Sequence, residues 1–203
     1  MTALRWLART VAPHHRLAKA PGSRRPYYAA PELGLHGRTT IAIRLAGLHP
    51  VVSLLRGRHV LDLGCAEGVV LQEMLKGGPA SGHGVDNSAE RIASAKRLHI
   101  DPRLHFDVVD LNRTTCFDAP VFRQGYDVVL MLGVYQHLAA ASRPIVLRRA
   151  LERCRERFVL RIPRCHIERI DPSEIVRNAG FAVEQAIEPE RGEPVTIYKR
   201  VAP

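Results

Sequence analysis

The sequence comprises 203 residues, of which 46% are hydrophobic and 25% are charged, as is ordinary for a soluble globular protein. This length is sufficient for one domain with a sizeable core. No apolar run approaches the roughly 20 residues that a membrane-spanning helix needs, and the first residues lack the apolar segment of a secretory signal. These features argue against a membrane-spanning or secreted protein.

The charge of the chain is concentrated at its beginning. The formal net charge is +10, and residues 1–31 carry six of the 30 basic residues and no acidic residue, which leaves 24 basic against 20 acidic residues elsewhere. The body is therefore only mildly basic, and net charge alone is weak evidence for nucleic-acid binding. The beginning is compatible with a basic arm for a phosphate-bearing or membrane surface, with a transit peptide, or with a terminus packed on the domain. We predict a basic, partly flexible segment over residues 1–37 and one domain over residues 38–203.

The cysteines predict a reducing environment. They form no C-x-x-C pair, so neither a zinc site nor a redox motif is expected, and no metal ion is predicted. Reduced cysteines are typical of intracellular proteins, and we predict a cytoplasmic location. The four are Cys65, Cys116, Cys154 and Cys165.

The stretch from His59 to Gly68 is the most informative part of the sequence. An apolar run over residues 59–63 predicts a buried strand, and helical periodicity resumes at Val69. The loop between them contains Gly64 and Gly68, which tolerate positive φ and let a ligand approach the backbone. The dinucleotide fingerprint would require glycine at positions 66 and 69, where this chain has alanine and valine. A purely structural turn stays an alternative.

A second strand is predicted over residues 81–86 and ends in Asp86, which follows Gly68 by 18 positions. A carboxylate at a strand end can accept both hydroxyl groups of a ribose, because its two oxygens offer about four lone pairs. The alternative is that Asp86 only caps the helix that Asn87 and Ser88 begin.

Three more strands and three helical segments are predicted. The expected strands are residues 103–110, with Asp110 and Leu111 at the end of the strand, residues 126–132, and residues 157–162. The expected helices are an interrupted one over residues 39–55 with Pro50 at the break, and amphipathic ones over residues 142–155 and 171–178. Residues 112–125 look irregular.

The chain ends in two strands, residues 181–187 and 195–201, joined by a connection that includes Pro189 and Pro194. A connection this short makes the strands antiparallel neighbours. We therefore expect a sheet that finishes in an antiparallel hairpin.

The acid and small residues at alternating positions from Asp62 to Gly68 resemble the first motif of class I S-adenosylmethionine-dependent methyltransferases, usually D/E-x-G-x-G-x-G. Ala66 departs from its commonest form. The resemblance covers about residues 58–202. It implies an α/β fold, a Rossmann-like three-layer sandwich with a seven-stranded, mostly parallel sheet and an antiparallel C-terminal hairpin.

The resemblance also implies S-adenosyl-L-methionine as the cofactor and assigns residues to it. Asp62 is expected at the ammonium side, Asp86 at the ribose, and Asp110 with the Leu111 backbone at the adenine. The full predicted set of cofactor-binding residues is Asp62, Gly64, Cys65, Ala66, Gly68, Asp86, Asn87, Asp110, Leu111 and Leu132.

The segment after the fourth strand is the predicted place of chemistry, since open α/β sheets bind ligands at the carboxyl ends of their strands. His137 is a candidate general base, because an imidazole titrates near neutral pH, although it could instead pack beneath the next helix. Tyr135 and Gln136 are candidates for orienting the acceptor. The family often places helices before the first strand, over the substrate, so an entrance could be lined by Tyr27, Tyr28, His36 and Arg38.

The predicted reaction is methyl transfer to a small molecule that offers an oxygen, a nitrogen or a carboxylate. One alternative is RNA, of the tRNA wobble-uridine type, held by the arginine-rich beginning and the helix near residues 142–157. Another is a non-catalytic subunit that binds the cofactor for a partner enzyme. A nicotinamide-dependent enzyme is a more distant alternative.

Overall fold

The computed structural model describes residues 26–37, 39–113, 115–167 and 169–201. Residues 1–25 of the predicted flexible segment lie outside the described residues. Residues 26–37 contain the first two strands of a small sheet. The domain boundary at residue 38 stays a prediction.

The described residues form one main sheet of seven strands with helices on both faces, which confirms the predicted α/β sandwich. In the order of the sheet, the strands are β6, β5, β4, β7, β8, β10 and β9. Only β10 runs against the others, because it pairs antiparallel with both β8 and β9. The strands are β4 (His59–Leu63), β5 (Ser81–Asp86), β6 (Leu104–Val108), β7 (Tyr126–Leu132), β8 (Cys154–Arg161), β9 (Phe181–Ile187) and β10 (Val195–Arg200).

A small sheet and two short helices precede the main sheet. The small sheet has the order β2-β1-β3, with β1 antiparallel to β2 and parallel to β3. Its strands and the two helices are β1 (Tyr28–Ala30), β2 (Leu35–His36), β3 (Thr39–Thr40), α1 (Ile41–Leu45) and α2 (His49–Ser53). The predicted interruption near Pro50 is confirmed, because the segment forms two separate helices. Helix α2 starts one residue before Pro50 and has this proline in its first turn, where its missing N–H costs no helical hydrogen bond.

The remaining helices connect the strands of the main sheet. They are α3 (Val69–Met74), α4 (Ala89–Leu98), α5 (Arg143–Arg153), α6 (Arg164–Ile167) and α7 (Ser173–Asn178). Within the described residues, no helix combines the length and the apolar character that crossing a membrane requires. The described residues of the range 112–125 form two 3-10 turns and no longer helix or strand, as their irregular pattern predicts.

The boundaries of several predicted elements differ from the observed ones. The strands predicted over residues 103–110, 157–162 and 195–201 are observed as Leu104–Val108, Cys154–Arg161 and Val195–Arg200. The helix near residues 142–155 stops at Arg153, because Cys154 already pairs with Tyr126 as the first residue of β8. Helix α7 begins at Ser173 rather than directly after Asp171, whose carboxylate accepts hydrogen bonds from the Ser173 N–H and hydroxyl groups. Asp171 thus performs the expected capping function from one position further away.

Apolar side chains cover both faces of the main sheet, which is why its central strands read as continuous hydrophobic runs. Strand β7 is buried at six of its seven positions. One core cluster includes Leu61, Phe122 and Phe158, and the other includes Val60, Leu130 and Val159. Burial on both faces fixes the sheet, and with it the edge at which the carboxyl ends of β4, β5 and β7 meet.

Candidate functional site

A cleft of about 380 Å³ lies at the carboxyl ends of β4, β5 and β7. Seven of the predicted site residues line it: Gly64, Ala66, Asp86, Asn87, Asp110, Leu111 and His137. The other lining residues are Tyr27, Arg44, Arg91, Val109, Asn112, Gly133, Val134 and Leu138. The position agrees with the general rule that open α/β sheets bind ligands at this edge.

The loop between β4 and α3 has a strained, compact backbone. Gly64, Ala66 and Gly68 have φ angles of 82°, 50° and 76°, and Ala66 is the only non-glycine residue with positive φ in the described part of the chain. A Cβ atom on Gly64 would lie 2.8 Å from Cγ2 of Val134, in the space beside the cleft. Strain of this kind persists where the surrounding structure enforces it, and it is concentrated at binding sites.

The Asp86 carboxylate fixes this loop. Its Oδ2 accepts a hydrogen bond from the Ala66 N–H at 3.0 Å, and its Oδ1 accepts one from the Ser88 N–H at 2.9 Å. The N-cap of α4 is Ser88, whose hydroxyl accepts from the Arg91 N–H, so Asp86 is not that cap. Each carboxylate oxygen has a second lone pair, and Asp86 lines the cleft, so the group can also accept from a ligand.

Two other predicted side chains lie beneath the loop rather than on the cleft. The Asp62 side chain is only 2% exposed, and burial raises the pKa of its carboxyl group to about 7, against the opposing effect of Arg44. The Cys65 side chain packs where Gly84 has none, since a Cβ there would lie 2.7 Å from the sulfur, and burial raises the pKa of the thiol. Any contact of Cys65 with a ligand would involve its backbone.

Three further predicted residues support the cleft from behind. Gly68 lies against the buried ring of Phe106, and Leu132 contributes a backbone carbonyl that accepts a hydrogen bond from Arg44. Tyr135 is 4% exposed within the hydrophobic core. Their predicted roles in binding and catalysis stay predictions.

The imidazole of His99 is buried behind the loop. Its Nε2 donates to the Glu67 carbonyl at 2.8 Å, and its Nδ1 has no hydrogen-bond partner. A proton on Nδ1 would therefore be buried without an acceptor. Burial accordingly lowers the pKa of His99 from 6.5 to about 4.

This histidine predicts a loss of stability in acid. Between pH 6.5 and 4 the unfolded chain binds a proton that folded His99 does not, so the stabilisation is complete above pH 6.5 and decreases as the pH falls. We expect the wild type to lose about 3 kcal/mol more than His99→Gln across this window. Urea unfolding of both proteins at several pH values measures the difference, and parallel pH dependences would contradict it.

The acceptor end of the cleft is formed by the segment after β7. His137 is exposed there, and partial desolvation lowers the pKa of its imidazole, with further lowering by His166 and Arg44. The ring is therefore neutral at pH 7 and can accept a proton. This segment is held by the Gly133 N–H, which donates to the Arg161 carbonyl at 2.9 Å.

An aromatic ring with two arginines closes the cleft opposite the sheet. The Tyr27 ring has the guanidinium carbons of Arg44 and Arg91 at 5.3 and 5.6 Å from its centroid. The Tyr27 N–H donates at 2.8 Å to the buried carboxylate of Glu67. Of the other predicted entrance residues, Tyr28 is 2% exposed in the core, His36 is exposed and outside the cleft lining, and Arg38 lies outside the described residues.

Sequence reasoning did not identify Arg44, Arg91 or Asn112 as site residues. Arg44 has one recognisable signal, since it is the single Arg, Lys, Asp or Glu residue within the apolar stretch from Thr39 to Leu55. Arg91 and Asn112 carry no such signal. Among the described residues, no three His, Cys, Asp or Glu side chains are grouped as metal ligands would be.

Comparison with known proteins gives one matching family and partial relatives. A family model described as "Methyltransferase domain" matches residues 61–160. The ribosomal protein L11 methyltransferase of Stenotrophomonas maltophilia is 35% identical over 77 aligned residues, which cover 33% of this chain and 25% of that protein. The chain thus spans about a quarter of the length of the curated relatives that it matches.

Solved structures share the fold over a larger part of the chain. Magnesium protoporphyrin IX methyltransferase from Synechocystis PCC 6803, with bound S-adenosylmethionine, superposes with a TM-score of 0.61 at 18% identity, covering 76% of this chain and 78% of the other. A putative RNA methyltransferase from Pyrococcus horikoshii gives a TM-score of 0.60 at 19% identity, covering 76% and 81%. At these identities the likeness establishes the fold alone.

Three findings agree. The family model covers the strands and loop that form the cleft. The sheet has the seven strands, the mostly parallel arrangement and the antiparallel C-terminal hairpin that the resemblance implies, and the solved methyltransferases have the same fold. The methyltransferase-domain match and the shared fold therefore support the resemblance of this chain to the class I S-adenosylmethionine-dependent methyltransferases.

Proposed function

We propose that this chain transfers a methyl group from S-adenosylmethionine to a small-molecule acceptor. The observation that carries the proposal is the Asp86 carboxylate, which ties the strained Ala66 backbone to the end of β5 and also faces the cleft. Gly64 and Ala66 line the cleft together with Asp86, so a ligand there could lie close to the loop backbone. When bound, the cofactor would supply an electrophilic methyl group on a positively charged sulfur.

The chain's residues divide between the two ends of the cleft. Asp86 and Asn87 would hold the ribose, and Asp110 with the Leu111 backbone would hold the adenine. Asp110 is fixed for this role, because its Oδ1 accepts from the Asn112 N–H at 3.0 Å. Asp62 would act on the ammonium side from beneath the loop, through its charge.

Catalysis would then require mostly alignment. Reacting atoms must approach to about 3–3.5 Å, with competing water excluded. Tyr27 and Leu138 narrow the cleft, and the neutral ring of His137 would accept the proton that the acceptor loses. Tyr135 would support this segment from the core.

Replacing His137 tests the proposed base. We expect His137→Gln to lower turnover about 100-fold or more, while affinity for S-adenosylhomocysteine changes less than about twofold. The wild-type rate should fall only at pH values below 6.5, because the pKa of His137 is lowered, and the variant should lack this acid limb. The measurements are pH–rate profiles and calorimetry, with the exposed His59→Gln as control. Unchanged turnover would show that His137 only packs.

The acceptor class is the finer part of the proposal. The small cleft favours a small molecule, whereas RNA is favoured by the exposed Arg148 and Arg149 on α5. Incubation with methyl-labelled cofactor and fractionated extract separates metabolites, RNA and protein. RNA binding would weaken steeply as salt rises. Tight cofactor binding without label transfer would instead indicate a non-catalytic subunit. The cytoplasmic location also stays a prediction.

A further inference from the structure

Two arginines from distant parts of the chain meet at the acceptor end of the cleft. Arg44, on α1, lines the cleft and donates to the Leu132 carbonyl, and a Cβ on Gly133 would lie 2.9 Å from its Nη1. Arg161, at the end of β8, is 2% exposed and donates from Nη1 to the Arg44 carbonyl at 2.6 Å and from Nη2 to the Ala46 carbonyl. The second arginine therefore holds the backbone that carries the first.

Neither guanidinium has a carboxylate partner among the described side chains. No Asp or Glu oxygen of that set lies within 4.0 Å of Arg44 or Arg161, and the Nε atom of each is buried without a hydrogen-bond partner. Arg91, on the other side of Tyr27, differs, since it lies 3.8 Å from a Glu67 oxygen and 4.0 Å from an Asp86 oxygen.

No ion pair of the described side chains balances the charge of this corner. Burial, together with the neighbouring charge of Arg44, lowers the pKa of Arg161 to about 10, so each cation disfavours the other. Asp62 and Glu193 are the nearby acids: Glu193 raises the pKa of Arg161 and burial raises that of Asp62 to about 7, but neither carboxylate forms an ion pair with Arg44 or Arg161. Buried cations normally have an anionic partner, because desolvation is otherwise uncompensated.

We propose that Arg44 binds a carboxylate group of a ligand in the cleft, and that Arg161 is the residue that positions it. A guanidinium presents a planar fork of N–H donors that matches a carboxylate. This inference rests on the proposed function and deepens it. The carboxylate has two sources in such a reaction, namely the amino-acid end of the cofactor and an anionic acceptor.

The first arm of the test compares two nucleosides by calorimetry. S-adenosylhomocysteine carries the carboxylate, whereas 5′-methylthioadenosine lacks the whole amino-acid end. We expect Arg44→Gln to weaken S-adenosylhomocysteine binding by about 10- to 100-fold, and to leave 5′-methylthioadenosine within about twofold. Arg44→Lys should recover part of the loss. Arg97→Gln, at an exposed position of α4, is the control, and thermal melting verifies that each variant is folded.

The second arm tests the acceptor as the source. Protein saturated with S-adenosylhomocysteine is titrated with benzoate, and binding that Arg44→Gln abolishes assigns the arginine to an anionic acceptor. If Arg44→Gln changes binding in neither arm, the carboxylate assignment is wrong, and the proposed function is unaffected. If the wild type binds neither nucleoside, the result contradicts the proposed function and therefore also this inference.

Discussion

Gly68→Ala is expected to lower the free energy of unfolding by about 2–5 kcal/mol. Gly68 has a φ angle of 76°, and an added Cβ would lie 2.6 Å from Cε1 of Phe106 and 2.9 Å from Cδ2 of His99. Both rings are 3% exposed, so moving them away from an added Cβ would disturb the packing around them. The substitution therefore combines an unfavourable backbone conformation with overpacking behind the loop.

Gly78→Ala is the matched control for this experiment. Gly78 has nearly the same φ angle, 68°, but an added Cβ there would meet no atom within 4 Å. It should show only the cost of the left-handed conformation, about 1–2 kcal/mol. Urea unfolding of the three proteins measures both effects. Equal losses in the two variants would show that the contact with Phe106 and His99 does not matter.

Asp86→Ala is expected to weaken S-adenosylhomocysteine binding about 100-fold or more. The substitution removes the acceptor of the Ala66 and Ser88 N–H groups, so the loop loses its support at the same time as the ligand loses a partner. The affinity of Asp86→Asn should lie between those of the wild type and Asp86→Ala, because its single amide oxygen can replace only part of these interactions. Calorimetry measures the affinities, with the surface variant Asp101→Asn as control.

A second ligand separates loop support from ribose binding. Removing the 2′-hydroxyl group from 5′-methylthioadenosine should weaken binding to the wild type and should have almost no further effect in Asp86→Ala. Such non-additivity is the signature of a direct contact between the two groups. If the deoxygenated nucleoside lost the same affinity in both proteins, Asp86 would support the loop without contacting the ribose.

Much of the fold could be predicted because its signals are local. Residues 59–63, 81–86 and 126–132 are short runs of apolar or small residues, and each forms a strand within the predicted limits. The terminal hairpin also follows from local information, since the connection after Ile187 is too short for anything but an antiparallel pair. The predicted end of the helix over residues 142–155 was wrong: the helix ends at Arg153, because Cys154 already pairs with β7 as part of β8.

For the candidate site, the sequence by itself determined the glycine loop and the position of Asp86, because strand ends in a parallel sheet converge at one edge. Only the tertiary structure decided that Asp62 is buried beneath that loop and that Arg44 faces the cleft. Arg161 supports the Arg44 backbone across 117 positions of the chain. No periodicity or motif encodes a contact over such a separation, because it arises only when the sheet and the preceding helices pack together.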